Sequence, residues 1–349
     1  MRRMRVLATA GAVAVALGMI SFTLTVREPV ANIMPAKALA PERVTSTIDS
    51  RPIPAQPSAP PEAFPPPTGP AAFRTHAPNG AFVPSPACGN PGALGVSRVV
   101  EIDAAGGPGF GFEHFKQYDF LRDKEVVLTF DDGPWPLNTP AVLKALADEC
   151  LRATFFEIGK HATWHPEITK QLIDAGMTVG THTWSHKDLA RNPYANDLEQ
   201  AEQEIEMGNS AVHMAAAGRA VAPFFRFPDL QHPPQLLPYL GERNIAIFST
   251  DIDSRDFRMH NPDQVIKSAM SQLEKHGKGI ILMHDFQHNT AEALPEFIRQ
   301  LKTGGYKIVH IVPKGQLTTL PKYDEMVKQQ DKLSVTNTRP QSGVVRTIE

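Results

Sequence analysis

The sequence predicts an α/β barrel, and two observations support that fold class. From about Lys124 onwards, short apolar runs alternate with longer amphipathic runs, which is the pattern of strands and helices in α/β proteins. Seven of the apolar runs have the length of buried strands, and seven strand-and-helix units indicate a barrel. The predicted strands are 126–130, 154–158, 178–180, 224–225, 245–248, 279–283 and 306–309.

The clearest predicted helix spans about residues 195–217. Apolar residues recur at helical spacing from Leu198 to Val212, and Gly218 is a typical residue just beyond a helix end. The polar C-terminal segment 314–349 has no helical or strand period of useful length. We therefore predict that this segment is an extended tail beyond the folded domain.

Two segments without globular character precede the folded domain. Three arginines stand before an uncharged run at 6–26, so residues 1–27 have the basic flank and apolar body of a signal peptide or membrane anchor. The run is long enough to span a bilayer, and small-residue cleavage sites come only after Glu28, so an uncleaved anchor is favoured over a cleaved signal. The positive-inside rule then predicts export, with the domain facing the periplasm or cell envelope.

Residues 28–95 are interpreted as a proline-rich linker, because 13 of the 32 prolines lie between Arg51 and Pro91. Such a segment buries too little apolar surface to offset its ordering entropy. It either extends the domain from the membrane as a semi-rigid polyproline spacer or is a linker of no fixed length. One folded domain, 96–313, is then long enough for a sizeable core.

Composition and charge exclude several classes of protein. The hydrophobic content of 42% excludes disorder throughout, and the net charge of -2 provides no basic field for nucleic acid. Export permits a disulfide between Cys88 and Cys150, but Cys150 ends a predicted helix before an apolar strand, where a small buried hydrophobe is the commoner role. Two isolated thiols cannot form a cysteine-based zinc cluster.

Two adjacent carboxylates, Asp131 and Asp132, follow the first predicted strand in a turn with Gly133 and Pro134. Adjacent acids repel each other, and that cost is tolerable if one binds a cation while a cationic side chain holds the other. The pair would then divide into a metal ligand and a general base. The alternative is an ordinary solvated turn at the end of a strand.

Two histidines four residues apart, His182 and His186, follow the third predicted strand. If a helical turn begins there, both lie on one face and can converge on one metal ion. With Asp132 they make three ligands and leave positions open for water and substrate, as in hydrolytic metal sites. His161 and His165 share this spacing but stand before a proline, so we predict a surface loop entering a helix there.

Five polar motifs follow the predicted strands in order, and each is weak evidence alone. They are 129–134 (TFDDGP), 182–186 (HTWSH), 226–228 (RFP), 253–257 (DSRDF) and 282–284 (LMH). Together they resemble the motifs of the polysaccharide deacetylases, the family of chitooligosaccharide, peptidoglycan and chitin deacetylases. The resemblance covers about residues 124–312 and implies a distorted (β/α)7 barrel.

The resemblance implies a metal site and a pair of catalytic residues. Asp132, His182 and His186 would hold one divalent ion, which is usually zinc in this family. Asp131 would act as the general base towards the attacking water. His284 would act as the general acid that protonates the leaving sugar amine.

The resemblance also implies two supporting residues. Arg226 would keep Asp131 oriented and ionised, and Asp256 would favour the imidazolium form of His284. If Arg226 and Asp256 are structural only, their loss unfolds the domain instead of changing its pH profile.

Three further residues are expected at the substrate. A backbone N–H near Asp229 would stabilise the oxyanion, and Leu282 would form the wall of the acetyl pocket. Phe257 stands where the family most often has Trp, and residues 226–229 read Arg-Phe-Pro-Asp where the family usually has Arg-Pro-Pro-Tyr or a similar sequence. The substrate preference is therefore less defined than the reaction.

The leading hypothesis is a metal-dependent hydrolase that removes N-acetyl groups from N-acetylglucosamine-containing glycans. The glycan is a chitooligosaccharide, peptidoglycan or an exported polysaccharide, and the membrane is a second partner if the N-terminal segment is uncleaved. One alternative is an O-acetyl esterase acting on xylan or another acetylated polymer. The other alternative is an inactive glycan-binding module, which typically loses the base or the acid, whereas Asp131 and His284 are both present.

Overall fold

The computed structural model describes residues 89–336, which form an α/β domain. Its strands are β1 (Val96–Ile102), β2 (Gly109–Phe110), β3 (Glu125–Asp131), β4 (Thr154–Glu157), β5 (Thr178–Thr181), β6 (Phe224–Phe225), β7 (Ala246–Phe248), β8 (Ile252–Asp253), β9 (Gly279–His284) and β10 (Lys307–Pro313). Its helices are α1 (Asn138–Asp148), α2 (Gly159–Trp164), α3 (Pro166–Asp174), α4 (Leu198–Ala215), α5 (Leu237–Glu242), α6 (Pro262–His276), α7 (His288–Thr303) and α8 (Pro321–Thr336).

Strands β3 to β9 form one parallel path in the order β8-β9-β3-β4-β5-β6-β7. β2 extends the path beside β7, while β10 pairs with the start of β3 and β1 pairs with β10. Every pairing in the described part of the chain is parallel, as expected when helices connect successive strands. The predicted α/β class is confirmed, and the order of the seven strands is that of a (β/α)7 barrel.

The seven predicted strands are all present, as β3 to β7, β9 and β10, with ends that differ by at most four residues. β1, β2 and β8 were not predicted. β2 and β8 have two residues each, which is too short to show a period. β1 is half-exposed over much of its length, so its apolar signal is weak. The predicted helix at 195–217 is α4, which begins where Asp197 accepts a hydrogen bond from the backbone N–H of Gln200.

β3 is buried along its whole length because both of its faces are covered. Val126, Leu128 and Phe130 pack in the cluster that also contains the apolar faces of α1 and α7. Val127 packs in a second cluster with residues of the other strands, on the face away from the helices. Side chains alternate along a strand, so Asp131 shares the face of Val127. The last residue of β3 therefore points towards the mouth of the barrel.

The C-terminal segment contains a helix, so the prediction of an extended tail is wrong for 321–336. Tyr323 and Val327 of α8 are buried in a cluster with Trp184 and with Met207 and Ala211 of α4. The apolar residues of α8 are few, and the helix is stabilised by packing against α4 instead of by a strong period of its own.

Cys150 is half-buried and disulfide-bonded, so the expectation of a small buried thiol is wrong. Cys88, the other cysteine of the sequence, lies outside the described residues. The anchor and most of the proline-rich linker that the sequence predicts also lie outside them. None of the helices between residues 89 and 336 combines the length and apolar character that crossing a bilayer requires.

Candidate active site

The turn after β3 carries two carboxylates to the mouth of the barrel. Asp131 is the last residue of β3, and Asp132 follows with a left-handed φ of 74°. The next peptide bond, Gly133–Pro134, is cis. A Cβ on Gly133 would collide with the carboxylate of Asp285, so glycine is the residue that fits this close approach.

Three side chains at this mouth converge in the way that a metal site requires. Asp132 Oδ1 lies 3.4 Å from His182 Nε2 and 3.2 Å from His186 Nε2. One ligand atom from each residue lies within 4.8 Å of the others. Asp132 Oδ1 is buried and has no hydrogen-bond donor, which costs free energy unless a cation binds there. The donor set fits a divalent ion, and three protein ligands leave positions open for water and substrate.

His182 is held in the form that a metal ligand needs. Its Nδ1 donates a hydrogen bond of 2.7 Å to the carbonyl of Arg226, which leaves the Nε2 lone pair facing Asp132. Burial, together with the neighbouring His186, holds the pKa of His182 well below its ordinary value. The ring is therefore neutral.

The two histidines converge without the helical turn that their spacing would allow. β5 ends at Thr181, and the following loop has left-handed φ angles of 64° at Thr183 and 54° at His186. Glu204 of α4 holds the loop, because its carboxylate accepts hydrogen bonds of 2.9 Å from the backbone N–H and from the hydroxyl of Ser185. The rings of His182 and His186 meet with their centroids 4.9 Å apart.

A fully buried guanidinium lies beside the Asp131 carboxylate. Arg226 Nη1 donates hydrogen bonds of 2.7 Å to Asp131 Oδ1 and 2.8 Å to Thr129 Oγ1. Its Nη2 donates to the carbonyl of Ser249, and the group lies 4.4 Å from the centre of the Phe156 ring. Burial raises the pKa of Asp131 to about 6 although Arg226 opposes this shift. Asp131 is thus a base that ionises close to neutral pH.

His284, the last residue of β9, forms a tight pair with Asp256. His284 Nδ1 lies 2.6 Å from Asp256 Oδ1, and Asp256 Oδ2 accepts bonds from the His284 backbone N–H and from Thr290 Oγ1 at 2.7 and 2.5 Å. Burial alone disfavours the imidazolium, but the Asp256 carboxylate outweighs it and raises the pKa of His284 to about 10. The charge of His284 and these hydrogen bonds lower the pKa of Asp256 despite its burial. His284 is therefore a cation at neutral pH, with Nε2 3.9 Å from Asp132 Oδ2.

The residues expected at the substrate lie at different depths. Leu282 is buried in β9, opposite Thr129 of β3. The Phe257 ring is 49% exposed and meets the His284 ring edge-on at 5.5 Å. Asp229 is exposed in a turn after β6, with a left-handed φ of 53°. The roles of these three residues stay predictions.

His161 belongs to the site, and its assignment to a surface loop was wrong. It lies in α2, half-buried, and its Nδ1 donates a hydrogen bond of 2.6 Å to the carbonyl of Asp132. The expected helix entry at Pro166 is present, because α3 begins there. The spacing of His161 and His165 was a signal that this segment could bind a metal. The contact of His161 with Asp132 was not visible in the sequence, because it depends on how β3 and β4 pair.

Two buried acids beside the site were not predicted. Asp285 accepts a hydrogen bond from Thr139 Oγ1, and Glu157 accepts one of 2.8 Å from Thr169 Oγ1. Each carboxylate has one buried oxygen without a hydrogen-bond partner. Burial raises the pKa of Asp285 to about 7 and that of Glu157 to about 8. The position of Asp285 directly after His284 was a signal for its place in the site.

The chain is similar to known proteins. The polysaccharide deacetylase family matches this chain at residues 120–247. A chitooligosaccharide deacetylase of Azorhizobium caulinodans is 30% identical over 167 residues, which is 47% of this chain and 75% of that protein. The peptidoglycan-N-acetylglucosamine deacetylase PgdA of Listeria monocytogenes is 30% identical over 195 residues, which is 54% of this chain and 38% of that protein.

A solved structure shares the fold. A peptidoglycan deacetylase of Bdellovibrio bacteriovorus is 30% identical with a TM-score of 0.55, over 62% of this chain and 59% of that one. This chain spans less than half the length of the curated peptidoglycan deacetylases it matches from Listeria monocytogenes and Bacillus subtilis.

Proposed function

Because the chain belongs to the polysaccharide deacetylase family, we propose that it is a metal-dependent hydrolase that removes N-acetyl groups from N-acetylglucosamine-containing glycans and releases acetate. One observation carries this proposal. Asp131, paired with Arg226, and His284, paired with Asp256, flank one set of metal ligands as a base and an acid. A module that only binds glycans transfers no proton, so it needs neither a base nor an acid.

The metal of this proposal is zinc, held by Asp132, His182 and His186. Nitrogen and carboxylate ligands in a three-residue set with open positions are typical of catalytic zinc. A bound divalent ion supplies positive charge that lowers the pKa of a water and polarises the acetamide carbonyl. The neutral His182 ring and the orphaned Asp132 oxygen support this assignment.

Asp131 takes the proton from the attacking water in this mechanism. Its Oδ1 is occupied by Arg226, which leaves Oδ2 available for that proton, 3.9 Å from His182 Nε2. A pKa of about 6 is suited to a base that works near neutral pH. Arg226 fixes the carboxylate through a bond that does not involve the substrate, so the base is oriented before the glycan arrives.

His284 protonates the leaving amine. Asp256 holds the ring by Nδ1, so that Nε2–H is the atom that can donate the proton. Expulsion of an amine needs protonation more than expulsion of an alcohol, which favours an amide over an ester substrate. A backbone N–H near Asp229 stabilises the developing oxyanion, and Leu282 contacts the acetyl methyl group.

The substrate class follows from the relatives. The names of the Azorhizobium and Listeria proteins give a chitooligosaccharide and a peptidoglycan as their substrates. We infer a glycan of the same class here, in the periplasm or cell envelope. The basic and apolar segment 1–27 anchors the chain in the membrane, and the proline-rich segment 28–95 extends the domain from it.

Acetate release by the full chain, reconstituted with zinc, tests the proposed function. The substrates are N-acetylglucosamine oligomers, peptidoglycan and an O-acetylated xylan, beside Asp131→Asn and His284→Ala variants. His288→Ala is the matched control, because His288 is an exposed histidine four residues from His284.

We expect release from an N-acetylated glycan that both site variants abolish and that His288→Ala retains. Release only from xylan would replace the amidase with an esterase. No release from any substrate, with zinc bound, would leave glycan binding as the activity.

A further inference from the structure

Two exposed arginines flank the partner of the proposed acid. Arg255 and Arg258 lie in the loop between β8 and α6, where a 3-10 turn spans Asp256–Arg258. The backbone N–H of Arg258 donates a bond of 2.9 Å to the carbonyl of Arg255, and Arg255 has a left-handed φ of 54°. The backbone of this turn therefore holds both arginines beside Asp256, and both residues are exposed to solvent.

The Arg258 guanidinium lies over the ring of Phe257. Its central carbon is 5.2 Å from the centre of that ring, a distance at which a cation is attracted to an aromatic face. Phe257 in turn meets the His284 ring edge-on, with the ring centres 5.5 Å apart. Two contacts therefore connect the proposed acid with an exposed cation. His284 protonates the sugar nitrogen in the proposed reaction, so we expect the glycan, and not the acetyl group, on the side of Arg258.

The acidic groups of the loop do not neutralise Arg258. Asp256 is 1% exposed, and its carboxylate is held by His284. Asp253 faces Arg255, with Oδ2 3.9 Å from Arg255 Nε and with Oδ1 accepting a bond of 2.8 Å from the Arg255 backbone N–H. Among the residues that the structure describes, no carboxylate forms an ion pair with Arg258. Arg255 is thus partly neutralised, whereas Arg258 keeps its charge and its hydrogen-bond donors available.

The chemistry of an available guanidinium selects among the candidate glycans. Its planar fork of N–H donors matches the two oxygens of a carboxylate. A chitooligosaccharide is uncharged, whereas the lactyl groups of peptidoglycan and the uronic acids of some exported polysaccharides carry carboxylates. The metal ligands, the base and the acid act on the acetamide group, which all of these glycans share. Arg258 lies beyond that group and distinguishes what the catalytic residues do not.

We propose that Arg258, with Arg255 beside it, makes the proposed hydrolase selective for acidic glycans, in which the reacting sugar or its neighbour carries a carboxylate. This inference rests on the proposed function, because it assigns the substrate class of the same site. Arg258 acts as a specificity residue, since it binds the glycan without contacting the acetamide that reacts.

Acetate release from matched oligomers tests the selectivity. One tetramer alternates N-acetylglucosamine with N-acetylmuramic acid, and the other alternates N-acetylglucosamine with glucuronic acid. Each is used as the free acid and as its neutral methyl amide, and the N-acetylglucosamine tetramer is the uncharged reference. The full chain is reconstituted with zinc, and kcat/KM is measured at about 0.05 and 0.5 M salt, because salt screens pairs of exposed charges.

We expect the parent chain to prefer the free acid over the amide of at least one tetramer, and to lose part of this preference at high salt. Arg258→Gln reduces the preference about tenfold, as loss of a hydrogen bond to a charged group typically does. Arg258→Lys keeps the charge without the planar fork and retains an intermediate preference. Arg299→Gln is the matched control, because Arg299 is an exposed arginine far along α7, and it keeps the full preference.

The two acidic tetramers identify the source of the carboxylate. A preference that is confined to the muramic acid tetramer supports the proposal with peptidoglycan as the substrate. A preference that is confined to the glucuronic acid tetramer supports it with an exported polysaccharide. Equal kcat/KM for acids and amides in the parent chain, or an undiminished preference in folded Arg258→Gln, would overturn the selectivity and keep the hydrolase.

Binding separates the selectivity from the proposed function. Calorimetry of the zinc-loaded chain with the free acids and the amides reports selection of the carboxylate without turnover. Binding of a free acid that depends on Arg258, without acetate release from any tetramer, keeps the acidic-glycan site and removes the hydrolase. Absence of both acetate release and Arg258-dependent binding removes both.

Discussion

Asp131 and His284 are direct register partners in the neighbouring parallel strands β3 and β9. Both are the last residues of their strands, so one backbone ladder sets the distance between the proposed base and the proposed acid. Each carries its own partner, Arg226 for Asp131 and Asp256 for His284. Burial and partner charge drive the two pKa values apart, and this separation assigns the acid and the base.

The pH profile of activity follows from these two groups. Asp131 must be ionised, so activity rises as pH increases through about 6, and His284 must be protonated, so activity falls as pH increases through about 10. Asp256→Asn removes the charge that raises the pKa of His284 and moves the alkaline limb to lower pH. The measurement is kcat/KM for acetate release between pH 5 and 11, in steps of about one unit.

Asp263→Asn is the control for this profile, since Asp263 is an exposed acid at the start of α6. An unchanged alkaline limb in folded Asp256→Asn would show that Asp256 acts through structure alone.

Metal binding is expected to stabilise the fold through Asp132. A ligand at a hundred times its Kd adds about 2.7 kcal/mol to the free energy of unfolding. We therefore expect zinc to raise the Tm of the parent chain, and a chelator to lower it again. Asp132→Ala loses this response because it removes the orphaned oxygen between His182 and His186.

The control for the zinc response is His213→Ala, a histidine near the end of α4 and away from the three ligands. A full zinc response in Asp132→Ala would contradict the assignment of this ligand set.

Arg226 contributes to stability as well as to the site. Its removal leaves the Asp131 carboxylate buried without its partner, which costs about 3–5 kcal/mol for pairs of this kind. We expect Arg226→Ala to be strongly destabilised in urea unfolding. Arg219→Ala is the matched control, because Arg219 pairs with Asp174 at the surface and such pairs are worth about 0–1 kcal/mol. Equal losses in the two variants would contradict the buried pair.

Gly133 tests how closely the carboxylate turn is packed. Gly133→Ala pushes a methyl group into the Asp285 carboxylate, so the turn must move and carry Asp132 with it. We expect a loss of zinc affinity in calorimetry of roughly tenfold or more, in line with changes to the groups that support metal ligands. Gly315→Ala, at an exposed position with no atom within 4 Å of the added methyl, leaves the affinity unchanged.

Helix α8 is expected to support the loop of metal ligands. Val327 is fully buried in a cluster with Trp184, which stands between His182 and His186 in sequence. Val327→Ala removes two buried methyl groups and costs on the order of 2 kcal/mol, with weaker zinc binding through the displaced Trp184. Lys328→Ala, an exposed neighbour on α8, changes neither quantity. Unfolding in urea and zinc calorimetry measure the two effects.

Long apolar strands were predictable, and short or half-exposed ones were not. β3 and β9 are buried on both faces, so continuous apolar runs in the sequence predict them. β8 has two residues and pairs with β9, and no local pattern distinguishes it from a loop. α8 has few apolar residues, too few for a clear helical period. Tyr323 and Val327 become buried only when α8 packs against α4 and Trp184.

The motif residues of the site were visible in sequence, but the way they meet was not. His182 and His186 converge through left-handed backbone at Thr183 and His186, and their spacing of four residues does not reveal that geometry. His161 and His165 have the same spacing as the ligand pair, yet His161 supports the backbone of Asp132, and its ring contacts Trp135 and Trp164.

By itself the sequence determined the α/β class and the identity of the polar residues at the strand ends, because strand periodicity and chemical type are local properties. Only the tertiary structure decided which of these residues touch. Contact between Asp131 and Arg226, or between His161 and Asp132, joins positions far apart in the chain through strand pairing. The pKa values of Asp131 and His284 also depend on the tertiary structure, since the burial and the neighbouring charges that shift them exist only once the barrel has formed.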